Sequence, residues 1–278
     1  MEPLNYEKRG YLNEDFRLFH LADSNTSEIG YHYHNFHKII LLLAGKASYA
    51  IEGERYKLTP GDYVLVSRGS IHRPEVEPGA FYERMILYIS PEFLARLRTD
   101  DCNLERCFHR AQSDFHYVYH AGADNPIKPL FLQLEQAWNG EEFGAEILRQ
   151  SLFMHLMVEV NRATEGQRYI RPTAGDSKIV SLLQYLNLHL TEALSIDELS
   201  SRFYISKYYM MRRFKEETGY TIHNYITEKR LLLAQQQIQQ GASLTEACYQ
   251  SGYQDYSTFS RAYKKRFGHV PSGQRLTK

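Results

Sequence analysis

Hydrophobic and polar residues follow two different spacings along this chain of 278 residues. From about residue 30 to residue 90, short apolar runs alternate with turn-forming pairs such as Ala44-Gly45, Glu52-Gly53 and Arg68-Gly69. A turn signal about every 8–10 residues predicts an antiparallel all-β unit, either a sandwich or a small barrel. An extended segment and a strand near residues 16–21 are predicted before this unit. Pro91 is predicted to end the last strand and to open a helix.

The spacing of apolar residues becomes helical after residue 100. Residues 100–121 predict a helix and then a short strand, and residues 129–139 predict a second helix. Residues 141–163 predict a longer helix with a wide apolar face, formed by Ile147, Leu148, Leu152, Phe153, Leu156, Met157 and Val160. One part of this face is expected to pack on the β-unit. The remainder is expected either to meet the same helix of a second subunit or to be buried within one chain.

Residues 164–177 have no periodicity and contain glycine and proline, so they are predicted to form a linker. The predicted domains are therefore residues 1–163 and residues 178–278. The predicted fold class is α+β: an antiparallel β-barrel with helices after it, then an all-α domain.

The all-α domain contains one pattern written twice, at residues 195–219 and again at residues 243–268. Ser195 and Ser243 each precede a short apolar-periodic run and can cap a helix, with a glutamate three residues later. A tight turn follows, which uses Gly252 in the second copy. A longer helix then ends at a glycine. Each copy therefore predicts a helix-turn-helix motif.

The second helix of each copy is predicted to bury one face and to expose the other to DNA. The buried residues recur every four positions, as Phe259, Tyr263 and Phe267 do. The opposite face carries arginine, lysine, serine and tyrosine. The DNA-binding candidates are Ser206, Lys207, Tyr208, Met211, Arg212 and Lys215 in the first copy, and Tyr256, Ser257, Ser260, Arg261, Lys264 and Lys265 in the second. Arginine, serine and apolar groups can read base edges in a major groove, whereas the lysines are expected to meet phosphates. A merely solvated basic face is the alternative, and the repetition disfavours it.

These motifs resemble the DNA-binding domain of AraC-type transcription regulators over residues 176–278. The matching positions are Tyr225, Arg230, Leu231 and Ala234 in a long connecting helix, and Gly252-Tyr253, Phe259, Arg261, Tyr263-Lys264-Lys265, Phe267-Gly268 and Pro271. The departures are Ala247-Cys248 and Val270, which are size changes at packing positions. The resemblance implies double-stranded DNA as a partner, with RNA polymerase as a further candidate.

Residues 28–92 resemble the cupin-type sensor domain that precedes many AraC-type domains. The matching residues are His32, His34, Gly45, Gly53, Leu58, Pro60-Gly61-Asp62 and His72. The resemblance implies a small-molecule effector, with sugars as the favoured class, and a homodimer built through the long helix.

Within this domain the ligand-binding candidates are His32, His34, His72, Tyr49, Tyr82, Arg84 and Tyr88. His32 and His34 alternate, so they point to the same face of a strand, and tyrosines combine an apolar wall with a hydroxyl group. Imidazoles also bind metals or serve as structural groups. His37 falls near the place where metal-binding cupins have a glutamate, and Lys38 beside it disfavours a cation. No metal and no cofactor are therefore expected.

Composition changes this picture in two ways. The net charge is zero, but the first 172 residues carry 19 basic and 24 acidic residues, and the rest carry 14 and 9. The excess of positive charge therefore lies in the domain expected to bind DNA. Three cysteines in no metal-ligand spacing favour a reducing cytoplasm over a disulfide framework, and no apolar run is long enough to span a membrane.

The chain is therefore expected to be a transcription regulator whose DNA binding responds to a small molecule, and not an enzyme. Two alternatives remain. A metal-dependent cupin enzyme with a DNA-binding tail would hold its metal on His32, His34 and His72. A regulator without an effector would use a filled barrel only to dimerise.

Overall fold

The computed structural model describes residues 12–24, 29–122, 125–165, 169–173 and 176–276. The chain divides into two compact units, residues 1–175 and residues 176–278. The extended segment predicted at the N-terminus lies largely outside the described residues. In the part of the chain that the structure describes, no helix is both long and apolar enough to cross a membrane.

The first unit is built on eight described strands in two antiparallel sheets. The strands are β1 (Phe16–Asp23), β2 (His37–Gly45), β3 (Ala47–Ile51), β4 (Glu54–Leu58), β5 (Asp62–Val66), β6 (His72–Glu75), β7 (Tyr82–Ile89) and β8 (Val118–His120). One sheet has the order β1-β7-β2-β5-β8 and the other has the order β4-β3-β6. The predicted antiparallel β-unit is confirmed. Its strands pair as two sheets, and β2 and β3 are separated only by Lys46.

Alternate side chains of β7 point to opposite faces of the sheet, one set into the hydrophobic core and the other into a cavity. Met85, Leu87 and Ile89 are fully buried, whereas Tyr82, Arg84, Ile86 and Tyr88 line a cavity. The core side belongs to one hydrophobic cluster that includes residues of four helices, α1 (Pro91–Arg96), α2 (Arg106–Ser113), α3 (Ile127–Trp138) and α4 (Ala145–Glu165). The ring of Phe16 on β1 stacks 4.4 Å from that of Phe153 on α4. The helices therefore cover one face of the five-stranded sheet and leave the other face to the cavity.

The long helix buries only part of the apolar face that the sequence predicts. Phe153, Leu156, Met157 and Val160 are fully buried. Ile147 and Leu148 in the first turn are 72% and 52% exposed. The unit alone does not cover this end of α4.

Part of the segment predicted as a linker pairs with the first unit. The Ile170 amide donates to the Val118 carbonyl at 2.7 Å, and the Thr173 amide donates to the Arg55 carbonyl at 2.7 Å. Residues 166–168 and 174–175 of the predicted linker lie outside the described residues. The described pairing places residues 169–173 against strands of the first unit, because their backbone groups complete hydrogen bonds there.

The second unit contains six described α-helices: α5 (Ser177–Leu188), α6 (Ile196–Arg202), α7 (Lys207–Thr218), α8 (Ile222–Gln239), α9 (Leu244–Gln250) and α10 (Tyr256–Phe267). A short 3-10 helix follows at Pro271–Leu276. Helix pairs α6–α7 and α9–α10 are the two predicted helix-turn-helix motifs. Ser195 and Ser243 cap α6 and α9 as predicted, and the second copy forms a full capping box with Glu246.

Helix α8 packs against both motifs. Tyr225 in its first half meets Phe214 of α7 edge to face, with ring centroids 5.4 Å apart. Leu231, Ala234 and Ile238 in its second half share a buried cluster with residues of α9 and α10. The predicted connecting helix is therefore the element that both repeats have in common.

Candidate functional sites

A cavity of about 730 Å³ lies between the two sheets of the first unit. This volume is within the range of about 300–1,000 Å³ that is typical of pockets for small molecules. The five-stranded sheet contributes residues of β1, β2 and β7, and the three-stranded sheet contributes residues of β3, β4 and β6. Apolar walls come from Leu21, Ile40, Val76 and Ile86.

Six of the seven residues predicted to bind a ligand line this cavity: His32, His34, Tyr49, Tyr82, Arg84 and Tyr88. The seventh, His72, has no exposed surface and lies with its ring centroid 4.4 Å from that of His32. Backbone hydrogen bonds fix this arrangement, because the amides of His32 and His72 each donate to the carbonyl of the other residue. The structure therefore brings the three predicted histidines together.

The potential metal-ligating atoms of His32, His34 and His72 lie within 4.8 Å of one another. The Nδ1 atom of His32 donates to the Gly30 carbonyl at 2.8 Å, and that of His72 donates to the Ser70 carbonyl at 2.9 Å. Carbonyl groups only accept, so in the neutral ring of His72 the Nε2 atom carries a lone pair. Three imidazoles at this separation are a donor set that a divalent metal could use.

Charged side chains around the cavity are mostly paired with each other. Arg84 donates to Asp23 at 2.5 Å and to the Tyr82 carbonyl at 3.0 Å. Arg73 donates to Glu75 at 2.6 Å. The ion pair with Asp23 partly neutralises Arg84, which the sequence predicts to be a ligand-binding residue.

Lys38 differs from these arginines. It is 7% exposed, and within the described residues no carboxylate lies within ion-pair distance of its ammonium group. Its Nζ atom lies 5.5 Å from the centroid of the Tyr88 ring. Burial and the charge of Arg84 lower the pKa of Lys38 to about 7. Burial and the charge of Lys38 in turn hold the pKa of His72 well below its usual value.

His37, the neighbour of Lys38, has a structural role. Its Nε2 atom contacts Glu105 at 2.9 Å, its Nδ1 atom accepts from the Arg68 amide at 3.2 Å, and its ring stacks on Phe108. Burial lowers the pKa of His37 although Glu105 opposes this. It is not among the residues that line the cavity.

Sequence reasoning missed several cavity residues, chiefly Lys38, Arg55, Arg73, Asp23 and Glu75. Alternation on β2 could have indicated Lys38, since Lys38 and Ile40 lie two residues apart and pair with Tyr88 and Ile86 of β7. The signal was hidden because β2 is buried on both faces along most of its length. The charged residues of β4 and β6 gave no such signal.

In the second unit, the predicted DNA-binding residues are exposed on two helices. Ser206, Lys207, Tyr208, Met211, Arg212 and Lys215 are all exposed, and so are Tyr256, Ser257, Arg261, Lys264 and Lys265, with Ser260 half-buried. The opposite faces carry Met210, Phe214, Phe259 and Tyr263, none of which has exposed surface. Each helix therefore presents its polar and basic face outward.

Other arginines of this unit are used within the fold. Arg213 pairs with Glu216 and Glu217 at 2.6 and 2.7 Å. Arg230 donates to the Leu190 carbonyl at 2.8 Å and also to the Glu192 carbonyl. Arg266 pairs with the buried carboxylate of Glu228 at 2.5 Å. Arg212 and Arg261 make only looser contacts, at 3.8 Å to Glu216 and 3.3 Å to the Ser257 carbonyl.

Two of the predicted DNA contacts already have partners in the fold. The Ser206 hydroxyl caps α7 by accepting from the Tyr209 amide at 3.3 Å, and Lys207 pairs with Asp197. At the start of α10, Asp255 caps the amides of Ser257 and Thr258. The N-termini of α7 and α10, which would face DNA phosphates in the predicted complex, are thus ordered by local side-chain caps.

Two family models match this chain. The model described as the AraC-like ligand binding domain matches residues 18–157, about half of the chain, and a helix-turn-helix domain model matches residues 199–276. The chain belongs to the AraC-like family. It is thus a DNA-binding transcription regulator with a domain of the ligand-binding type before its helix-turn-helix domain.

Relatives that match most of the chain belong to the same family. The HTH-type transcriptional activator RhaS of Escherichia fergusonii is 26% identical over 253 residues, which cover 86% of this chain and 85% of that protein. RhaS of Citrobacter koseri is 26% identical over 246 residues with the same coverage. Among solved structures, fatty-acid-bound ToxT of Vibrio cholerae is 14% identical, covers 94% of this chain and 95% of its own, and has a TM-score of 0.41.

Proposed function

We propose that this AraC-like regulator activates transcription by binding double-stranded DNA through α7 and α10, and that an organic effector in the cavity modulates this binding. The RhaS relatives are activators by name, which supports the direction of regulation. The observation that carries the DNA-binding role is the repetition. Two capped helices each bury one stripe and expose arginine, lysine, tyrosine or serine on the other.

The exposed residues divide by chemistry into two roles. Tyr208, Met211 and Arg212 of α7 face the bases in this proposal, as do Tyr256, Ser257, Ser260 and Arg261 of α10. Lys207, Lys215, Lys264 and Lys265 contact phosphates, because ammonium groups are point charges that distinguish bases poorly. Two recognition helices in one compact unit would enter successive major grooves, about 34 Å apart.

The cavity favours a domain that binds an effector over a domain that serves only for dimerisation. A regulator without an effector would have a filled core, whereas the space between the sheets is about 730 Å³ and is lined by both polar and apolar groups. Coupling to DNA binding requires that the effector bind two arrangements of the protein with different affinity.

The proposal also includes a homodimer, in which the exposed first turn of α4 is covered by a second copy, and contact of the bound protein with RNA polymerase. The cytoplasm is the proposed compartment, in keeping with three free cysteines. Catalysis is not part of the proposal, because the lysine beside the histidines opposes the metal that a cupin enzyme would require.

Selection of bound fragments from randomised double-stranded DNA, with the full-length protein, tests the DNA-binding roles. It first yields the preferred sequence. Arg261→Ala is then expected to lose about 1–3 kcal/mol of discrimination at one base position, because arginine can bridge two acceptors of guanine.

Lys265→Ala is the matched control. It should weaken binding to all sequences alike. It should also reduce the steepness of log K against log salt concentration by about one, because one phosphate contact is lost. Equal losses on every sequence for Arg261→Ala would remove Arg261 from base recognition. A wild-type protein without sequence preference would refute the proposed function as a whole.

A further inference from the structure

Among the residues that the structure describes, Lys38 is a buried basic residue at the cavity wall that no carboxylate pairs with. Lysine, arginine, aspartate and glutamate side chains all line the space, and four of them are basic (Lys38, Arg55, Arg73, Arg84) while three are acidic (Asp23, Glu75, Glu77). Arg84 pairs with Asp23, and both Arg73 and Arg55 contact Glu75. Among these four basic residues, Lys38 is the one for which the described residues supply no carboxylate within ion-pair distance.

A buried ammonium without a counter-ion is costly, and the structure keeps it at the cavity wall. Lys38 is paired across the sheet with Tyr88, and Ile40, two residues along, is paired with Ile86. All four residues line the cavity. An anionic group that enters this space would supply the missing partner.

His72 supplies a second unsatisfied group behind the cavity wall, with its ring centroid 4.4 Å from that of His32, which lines the cavity. Its Nε2 atom is buried and has no hydrogen-bond partner among the described residues. Since its Nδ1 atom donates to the Ser70 carbonyl, Nε2 can only accept in the neutral ring. A ligand hydroxyl that donates to this atom would satisfy it. An unmade hydrogen bond of a buried group costs about 1–3 kcal/mol, so a ligand hydroxyl that reaches this atom would stabilise the complex.

A divalent metal could also satisfy the three histidines, but the neighbouring charge opposes it. The neighbouring charge is that of Lys38, which is the second cause, after burial, of the lowered pKa of His72. The same charge would repel a cation held by that ring. Anion and hydroxyl together are therefore favoured over a metal ion.

We propose that the effector is a carboxylated sugar, a uronic or aldonic acid, whose carboxylate pairs with Lys38 and whose hydroxyls donate to the histidine cluster of His32, His34 and His72. A carboxylate can pair with the Lys38 ammonium group one charge to one, through charge-assisted hydrogen bonds. The tyrosines Tyr49, Tyr82 and Tyr88 then face the sugar ring with an apolar surface and hydroxyl tips. This inference rests on the proposed effector function of the cavity.

Calorimetric titration and thermal shift of the full-length protein test it with matched pairs of probes. The pairs are glucuronate and glucose, galacturonate and galactose, and gluconate and glucitol. At least one acid is expected to raise Tm and to bind at least tenfold more tightly than its neutral counterpart. Lys38→Met is expected to weaken the binding of that acid at least tenfold. Lys46→Met changes an exposed lysine outside the cavity and should leave the affinity for the acid unchanged.

Lys38→Met should fold, because it removes a buried charge while keeping most of the side-chain volume. Its Tm without ligand, expected at or above that of the wild type, checks this, and Lys38→Gln gives a second neutral variant. Equal binding of a neutral sugar and its acid, or unchanged acid binding in both variants, would overturn the sugar-acid proposal while an effector function survives. Stabilisation by Zn²⁺ alone, or by none of the six sugars, would also overturn it. Failure of DNA selectivity is measured separately, so the two proposals can fail independently.

Discussion

At the scale of single residues, the two helix-turn-helix copies form the same turn with different residues. Tyr204 and Gly252 occupy the same place in the repeat, and both have a positive φ, of 51° and 90°. Their amides donate to equivalent carbonyls, Ser201 at 3.3 Å and Tyr249 at 3.0 Å. The extra residue of the second copy follows this turn, at Gln254, so the turn itself is conserved between the copies while the entry to the next helix differs.

Gly252→Ala is expected to destabilise the second unit by about 2–4 kcal/mol. The left-handed backbone already disfavours a side chain by about 1–2 kcal/mol. In addition, a Cβ atom at this position would lie 2.8 Å from the Cα atom and 3.0 Å from the carbonyl oxygen of Thr191. Urea unfolding of the wild type and the variant measures the difference.

Tyr204→Gly is the matched change in the first copy. Tyr204 is 88% exposed, so glycine removes backbone strain and little packing. The free energy of unfolding should stay within about 1 kcal/mol of the wild type. A loss for Tyr204→Gly as large as that for Gly252→Ala would show that the tyrosine side chain, and not the turn conformation, stabilises this position.

At the scale of elements, α8 and α10 are joined by a buried ion pair. Glu228 of α8 is 8% exposed, and burial raises the pKa of its carboxyl group. The Arg266 guanidinium lies 2.5 Å from this carboxylate and favours its charged form. The pair fixes α10, the second of the two proposed recognition helices, on the helix that both motifs share.

Arg266→Met is therefore expected to destabilise the protein by about 3 kcal/mol, because it leaves the buried Glu228 carboxylate without this partner. Adding Glu228→Gln should restore part of the loss, since a neutral amide is cheaper to bury than an unpaired charge. Chemical denaturation of the single and double variants measures both. A double variant no more stable than Arg266→Met alone would show that packing of the arginine side chain, and not its charge, carries the effect.

The elements themselves could be predicted from the sequence, because their signals are local. The cap residues Ser195 and Ser243, the aromatic spacing of α10 and the turn residues between the strands each act within a few positions. The cavity could be predicted only in part. The run of apolar residues in β2 does not reveal which face meets helices and which meets a ligand, so Lys38 was missed. The partner of Arg84 was missed as well, because Asp23 is 61 residues away.

At the scale of the whole molecule, charge is divided between the two units. Residues 1–175 carry five more acidic than basic residues, and residues 176–278 carry five more basic than acidic ones. A zero total therefore conceals a basic DNA-binding unit, whose attraction to phosphates falls as salt rises. A dimer would bring two such units to one DNA, which increases the overall affinity without any new contact type.

Ile147→Glu is expected to weaken a homodimer at least tenfold, because it places a charge in the apolar first turn of α4, where Ile147 is 72% exposed. Such an exposed position should not affect folding by more than about 0.5 kcal/mol. Leu188→Glu is the control, since Leu188 is 69% exposed on the second unit and gains the same charge. Sedimentation velocity over a range of protein concentrations compares the three proteins. An unchanged dimer in Ile147→Glu, or an equal loss in Leu188→Glu, would place the subunit contact elsewhere on the chain.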